Sequence, residues 1–308
     1  LVSAIAALLE GMPRKDLAAR ADKMSAAYRA GGTSRAITTP LDAAAYAVAR
    51  MPATFAAIAA AFEKLAQAMP DFAPASLLDV GAGTGAASWA AVTEWPDLAV
   101  TMLDHNPALR VLARKLADSS PLAQAEILAG DLGVEKPGAD LVVAGYVLAE
   151  LDETRAAAVA VDLWQSASKA LVLVEPGTPQ GFARIRAARA ALIAAGAHVA
   201  APCTHDNTCP ITGDDWCHFS QRLPRSRDHM LLKGANVPFE DERYAYVAVT
   251  REPIAYHTAR ILSSPLETKP GLTFKLCDAT GLRAQFVASR DKEDYRRVKK
   301  RGWGDVFD

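Results

Sequence analysis

The chain has 308 residues, 51% of them hydrophobic and 22% charged, with a formal net charge of −1, which excludes a disordered chain and a disulfide-held mini-scaffold. A chain of this length forms about two domains and buries on the order of three quarters of its unfolded surface, so no covalent staple is needed. Its longest apolar stretches, residues 43–49 and 53–62, are broken by Arg50, Pro52 and Glu63 and fall short of the ~20 residues of a membrane span, so no membrane partner is expected.

Residues 1–70 read as an N-terminal helical region, alanine-rich, with apolar positions at three-to-four spacing and punctuation at Pro13, Gly31-Gly32, Pro40 and Pro52. From Ser76 the pattern changes to short apolar runs separated by helical stretches. Strands are expected at 77–80, 99–103, 125–128, 141–144 and 170–174, each as apolar as a strand covered on both faces. Alternating strands and crossover helices predict an α/β, doubly wound, Rossmann-like parallel sheet over 71–182, with its ligand at the carboxyl ends of the strands. After Pro179 the regularity fails. A helix over 182–195 leads into a segment rich in Cys, His, Asp and Pro (202–224), too irregular to build its own core. Further strands are expected at 244–250, 272–276 and 284–289, so that 183–308 forms a Cys-rich, basic region completing the sheet.

The first strand enters a glycine turn, Asp79-Val80-Gly81-Ala82-Gly83-Thr84-Gly85. Glycines let a backbone approach a ligand closely. The pattern admits a dinucleotide, S-adenosylmethionine or a vestigial turn. Asp79 favours S-adenosylmethionine, because a carboxylate there repels a pyrophosphate but can take up a cationic amino group. Asp104, closing the second strand, is placed to accept both ribose hydroxyls, and Asp131, after the third, lies beside the expected adenine. The cofactor-binding set is therefore Asp79, Gly81, Gly83, Gly85, Asp104 and Asp131. Catalytic chemistry is not legible. Residues 144–150, after the fourth strand, lack the Asn/Asp-Pro-Pro-aromatic clamp of amino-directed nucleic-acid methyltransferases, and no cysteine precedes Cys203 to act as a nucleophile. Glu150 and Glu175 are candidate bases or plain capping carboxylates.

Cys203, Cys209, Cys217 and Cys277 are spaced C-x5-C-x7-C-x59-C and are all the cysteines of the chain. In a chain of this size they fit a metal site or reduced thiols better than a secreted framework. They lie among Pro202, His205, Asp206, Pro210 and Asp215 rather than in apolar runs, so a ligand cage is the better reading. Four thiolates suit tetrahedral zinc or an iron-sulfur cluster, and gaps of five and seven are wide for a zinc knuckle. His205 and His218 are read as supporting or RNA-facing groups.

Charge is split along the chain. Residues 1–182 hold 14 Lys and Arg against 20 Asp and Glu, a net −6, and the remainder holds 20 against 15, a net +5. Arg222, Arg225 and Arg227 beside the cage, with Arg296, Arg297, Lys299, Lys300 and Arg301 in the tail, are candidate phosphate contacts.

Pro202-Cys203-Thr204-His205-Asp206-Asn207-Thr208-Cys209-Pro210, followed by residues 212–222 and Leu232-Lys233-Gly234, resembles the methyltransferase-like family of small-ribosomal-subunit assembly factors, which has mitochondrial members and bacterial relatives. The likeness extends to residues 46–54, the glycine loop, residues 174–179 and Trp303-Gly304-Asp305, nearly the whole chain. The resemblance implies a class I methyltransferase fold, association with small-subunit rRNA, and a [4Fe-4S] cluster on Cys203, Cys209, Cys217 and Cys277, with zinc as the alternative. It leaves two alternatives, an S-adenosylmethionine-dependent rRNA methyltransferase and a catalytically inactive RNA-binding assembly factor. The expected location is the cytoplasm for a bacterial relative and the mitochondrial matrix for a eukaryotic one, and a monomer is the default.

Overall fold

The computed structural model describes residues 1–29 and 36–308; the punctuation expected at Gly31-Gly32 lies outside the described residues. Three helices, α1 (Val2–Leu8), α2 (Arg14–Arg29) and α3 (Pro40–Ala68), precede the first strand. Thr39 caps α3: its hydroxyl accepts from the Asp42 N–H, while Asp42 accepts from the Thr39 N–H, and Pro40 occupies the first turn, where its missing donor costs nothing.

The break expected at Pro52 does not occur. Pro52 sits inside α3, and Val48, Met51, Ala53 and Ala57 around it are buried. Tertiary packing on both sides outweighs the ~3 kcal/mol that an interior proline costs. Joined across Pro52, this helix is long and apolar enough to cross a bilayer by length and composition, contrary to the reading of two short runs. Its apolar surface is used within the protein, in one core cluster with strand and helix residues such as Leu77, Leu141, Val172 and Leu112.

The strands follow the expected alternation: β1 (Ser76–Val80), α4 (Ala86–Glu94), β2 (Ala99–Asp104), α5 (Pro107–Ala117), β3 (Glu126–Ala129), β4 (Ala139–Gly145), α6 (Glu153–Ser166), β5 (Ala167–Pro176) and α7 (Pro179–Ala194). β3, β2, β1, β4 and β5 lie side by side, all parallel. Alternate side chains of each strand enter different cores. Leu77, Leu141, Val143, Val172 and Val174 pack toward α3, α4 and α5, whereas Leu78, Val142, Ala144, Leu171 and Leu173 pack toward α6 and α7. Both faces are covered, which is why these strands read as continuous apolar runs. The protein is thus built on a mixed α/β sheet with helices on both faces.

The sheet continues with β6 (His198–Ala201), β7 (Phe219–Pro224) and β8 (Phe239–Thr250). β8 pairs antiparallel with β5 along one edge, and β6 and β7 share its other edge. Residues 202–218 loop out from the gap between β6 and β7 and carry three of the cysteines. The short helix α8 (Arg227–Leu232) joins β7 to β8. The segment read as irregular over 202–224 therefore ends in an edge strand.

The last strands do not complete this sheet. β9 (Arg260–Ile261), β10 (Leu266–Thr268), β11 (Gly271–Asp278) and β12 (Gly281–Ala288) form a separate antiparallel sheet. Its own core of Ala259, Ile261, Phe274, Leu276, Val287 and Val298 is closed by α9 (Lys292–Val298) and Phe307. Cys277, on β11, is buried.

Candidate cofactor loop and cysteine cavity

The glycine loop and its acids gather at the carboxyl ends of β1, β2 and β3. Gly81, Gly83 and Gly85 all have positive φ, at 68°, 57° and 87°, a region where a side chain is strained. They differ in what surrounds them. A Cβ on Gly81 would lie 2.4 Å from a Val147 methyl, so that glycine also makes room for the segment after β4. Gly83 faces open space, with nothing within 4 Å of a Cβ, and a ligand can lie there against bare backbone.

Asp104 ties the loop together. Its Oδ2 accepts from the Gly83 N–H at 2.7 Å and its Oδ1 from the Asn106 N–H at 2.7 Å. Each oxygen retains a second lone pair for a ribose hydroxyl. Asn106 caps α5 through its side-chain oxygen and donates from Nδ2 to the Ile37 carbonyl at 2.9 Å, which brings the chain before α3 over this end of the sheet. Asp79 is 2% exposed, and its Oδ2 accepts from the Ser88 N–H and hydroxyl at 3.0 and 2.7 Å. A cationic amino group would therefore approach Oδ1. Burial pushes its carboxyl up to about 7, opposed by the Ser88 hydrogen bonds. Asp131 is exposed, with Oδ1 accepting from the Gly133 N–H at 2.8 Å in a turn beyond β3.

The two candidate bases separate. Glu150 is exposed, in a 3₁₀ turn after β4. Glu175 is fully buried; its Oε1 accepts from the Leu148 N–H at 2.8 Å, and no hydrogen bond to its Oε2 is found among the described residues. It braces the segment over the glycine loop. Burial pushes its carboxyl up to about 8. A folded-state value above the usual 4.5 means that the folded protein holds a proton the unfolded chain has lost, so stability falls as pH rises from about 4.5 to about 8. Glu175→Gln keeps the acceptor for Leu148 and removes this titration. Its melting temperature should exceed wild type by a few degrees at pH 8.5 and match it near pH 4.5, read by calorimetry at the two pH values.

Beside the loop, Tyr146, a non-glycine residue, has positive φ, 63°. Its N–H donates to the Val174 carbonyl at 2.7 Å, and its hydroxyl donates to Glu242 Oε1 at 2.8 Å. Arg50 of α3 reaches the same oxygen at 3.3 Å. Such a strained residue held by a polar network is characteristic of functional sites. Sequence reasoning missed it.

The four cysteines converge. All are free thiols, and all four line one cavity between α7, the 202–218 loop, β8 and β11. Burial and the neighbouring thiols push the Cys217 thiol well above its ordinary value, and push Cys277 up to about 12. Among the described residues no three His, Cys, Asp or Glu side chains form a group that could hold one metal ion. His205 is buried, with Nε2 3.8 Å from Cys277 Sγ, so it faces the cavity rather than RNA. His218 is half-buried, stacked on Trp216 at 5.1 Å and edge-on to Trp303 at 4.9 Å.

Two arginines were not anticipated. Arg189 of α7 and Arg260 of β9 line the same cavity and are 5% and 4% exposed. Arg189 donates to the His205 carbonyl at 2.7 Å, and its Nε has no partner among the described residues. Arg260 donates to the Pro202 and Gly304 carbonyls at 2.7 and 2.9 Å. Neither has a carboxylate partner among the described residues, whereas a buried cation needs a counter-charge. A signal was present: α7 contains Arg184, Arg186 and Arg189 and no acid.

The basic groups expected to meet phosphates divide. Arg222 is paired with Asp241 through two contacts and lies over the Phe239 ring, and Arg225 is paired with Glu240. Both are paired within the protein, Arg222 at an exposed position. Arg227, Arg296, Lys299, Lys300 and Arg301 are exposed, and Arg297 is exposed while reaching Asp294 at 3.3 Å.

The chain is similar to the human mitochondrial ribosome assembly protein METTL17, 31% identical over 289 residues, covering 85% of this chain and 61% of that protein. It is similar to the Rsm22-cox11 tandem protein 2, mitochondrial, of Schizosaccharomyces pombe, 27% identical over 352 residues, covering 96% of this chain and 46% of that protein. The chain thus spans about half to three fifths of the length of these relatives. Among solved structures it is similar to a magnesium protoporphyrin IX methyltransferase from Synechocystis PCC 6803 with bound S-adenosylmethionine, at 15% identity and TM-score 0.44, covering 65% of this chain and 80% of that one. A putative RNA methyltransferase from Pyrococcus horikoshii is similar at 13% identity and TM-score 0.41, covering 62% of this chain and 83% of that one. A family model described as mitochondrial small ribosomal subunit Rsm22 matches residues 40–308, and the chain belongs to that family.

Proposed function

We infer that this protein is a methyltransferase-like assembly factor of the small ribosomal subunit, which binds rRNA through its basic carboxyl-terminal half around a four-cysteine centre. The observation that carries the reading is the cavity where cysteines up to 74 residues apart in sequence meet Arg189 and Arg260. Two buried guanidiniums without carboxylates match a metal–thiolate centre of charge near −2. Cys203, Cys209, Cys217 and Cys277 would hold a [4Fe-4S] cluster. Four thiols lining one cavity, with sequence gaps of five and seven that are wide for a zinc knuckle, suit a polynuclear centre better than one zinc ion. The cluster, when bound, supplies a fixed cross-link between the 202–218 loop and β11.

S-adenosylmethionine fits the loop above β1. Gly83 offers open backbone, Asp104 the ribose acceptors, Asp79 a carboxylate toward the amino group, and Asp131 a place near the adenine. The cofactor, when bound, supplies a transferable methyl group. Toward it, Glu175 orders the 147–150 segment and Tyr146, Arg50 and Glu242 close the adjoining side. None of them is a base poised for proton transfer, so retained cofactor binding by an RNA-binding factor is favoured over turnover. The three parts read as a helical region (1–70), a cofactor-binding core (71–182) and an RNA-binding region (183–308). In a eukaryote it would act in the mitochondrial matrix, and in a bacterium in the cytoplasm.

Co-sedimentation with immature small subunits tests the reading. The anaerobically purified protein should travel with the precursor and be absent from the large subunit; equal distribution between the two would refute it. Asp104→Asn should weaken S-adenosylmethionine binding about a hundredfold in calorimetry, because it removes charge and places a donor among the donors of Gly83 and Asn106. Unchanged affinity would remove the cofactor from this loop.

A further inference from the structure

A second cavity, of about 150 Å³, opens between α3, β7, β8 and the carboxyl-terminal segment. Phe219 and Tyr246 line both this cavity and the cysteine cavity. Its remaining walls combine flat rings with hydrogen-bonding groups. The rings of Phe219, Tyr244 and Tyr246 lie 5.3 to 6.1 Å apart. The Trp303 ring is fixed by its Nε1 donating to the His218 carbonyl at 2.9 Å. Tyr244 is 4% exposed as a whole and lines the cavity, and no hydrogen bond to its hydroxyl is found among the described residues.

The charged groups at the rim select the occupant. Lys64 reaches Asp305 Oδ1 at 3.4 Å, and Asp305 Oδ2 accepts from the Gly302 N–H, so Asp305 is committed. Glu63 accepts from Gln67 through one oxygen, Oε1, and keeps Oε2 for a ligand. With two carboxylates against one ammonium, an anion such as phosphate is disfavoured. The remaining chemistry is a flat, neutral group that donates to a carboxylate and accepts from an ammonium or a hydroxyl on the neighbouring edge.

We propose that this cavity is a subsite for one unstacked guanine of a single-stranded RNA. The guanine N1–H and amino group donate to Glu63, O6 accepts from Lys64 or the Tyr244 hydroxyl, and the aromatic walls supply stacking. The proposal rests on the reading of the protein as an RNA binder and deepens it. Because Phe219 and Tyr246 also border the cysteines, the centre and the base pocket share their packing.

The test uses the full chain, purified anaerobically, and a fluorescent octauridylate carrying G, A, C or U at one central position. The guanine-bearing RNA should bind roughly tenfold tighter than the others, as expected of a buried, satisfied hydrogen-bond pattern. Tyr244→Phe and Glu63→Gln, which leave the packing in place, should each erase most of that preference while all-uridine binding persists. Trp303→Ala should weaken all four RNAs by roughly tenfold or more. A control replacing Arg296, Arg297 and Lys299 by Gln should weaken all four alike and keep the guanine preference. Loss in this control with no guanine preference in the wild type overturns the subsite alone. No binding of any RNA by the wild type overturns the RNA reading and the subsite with it.

Discussion

Replacing Cys277 by serine should release the metal centre, loosen a loop 60 or more residues away, and lower the melting temperature by on the order of 10 °C. Cys277 lies on β11, in a different sheet from the strands that flank the loop carrying Cys203, Cys209 and Cys217, and a shared centre would add a strong link to the Lys275–Asp215 pair and the Asn207 and Arg260 hydrogen bonds that already join the two. Without thiolates, Arg189 and Arg260 remain buried and uncompensated. Breaking a buried charge pairing costs about 3 to 5 kcal/mol, which in a chain of this size corresponds to the stated fall. Metal-coupled segments also fold with their metal, so amide exchange in residues 202–218 should accelerate strongly. Serine at each of the other three positions should do the same. A variant of Cys277 with native exchange in that loop would show that the four thiols are unconnected.

The second large effect concerns RNA. Each phosphate contact releases counterions, so affinity for a small-subunit rRNA fragment should fall steeply as salt rises. Arg296, Lys299, Lys300 and Arg301 are exposed on and after α9 with no ion pair among the described residues, whereas Arg222 and Arg225 are engaged by Asp241 and Glu240. Neutralising Arg296, Arg297 and Lys299 together should therefore flatten the salt slope by about 2 to 3, at roughly 0.7 to 0.9 per contact. Arg222→Gln should change it little. A triple variant with the wild-type slope would reduce the tail to a solvated surface.

The parallel half of the sheet was legible because burial on both faces leaves short runs such as residues 141–144 and 170–174 apolar without alternation. The glycine loop was legible for a similar reason, since three positive φ angles in five residues demand glycine. The edge strands were not. β7, Phe-Ser-Gln-Arg-Leu-Pro, is half polar because it lies at the sheet margin, and its proline occupies the last position, where a missing donor is tolerated. Pro52 misled because its cost is offset by contacts from distant residues. The cysteines could be grouped from their polar surroundings, but their charge partners could not. Arg189 is placed by the way α7 packs, burying Phe182, Ile185 and Ala188 with it, and Arg260 by a two-residue strand. In the glycine loop, Gly81 proved to serve Val147 as well as any ligand, a contact no local pattern encodes.

Iron and acid-labile sulfide per chain, measured on protein isolated without exposure to oxygen, test the account most directly. The cavity of Cys203, Cys209, Cys217 and Cys277 with Arg189 and Arg260 predicts about four of each per chain. It also predicts their loss in the Cys277→Ser variant. One zinc per chain with no iron, or native stability and loop protection in protein holding neither, would contradict it.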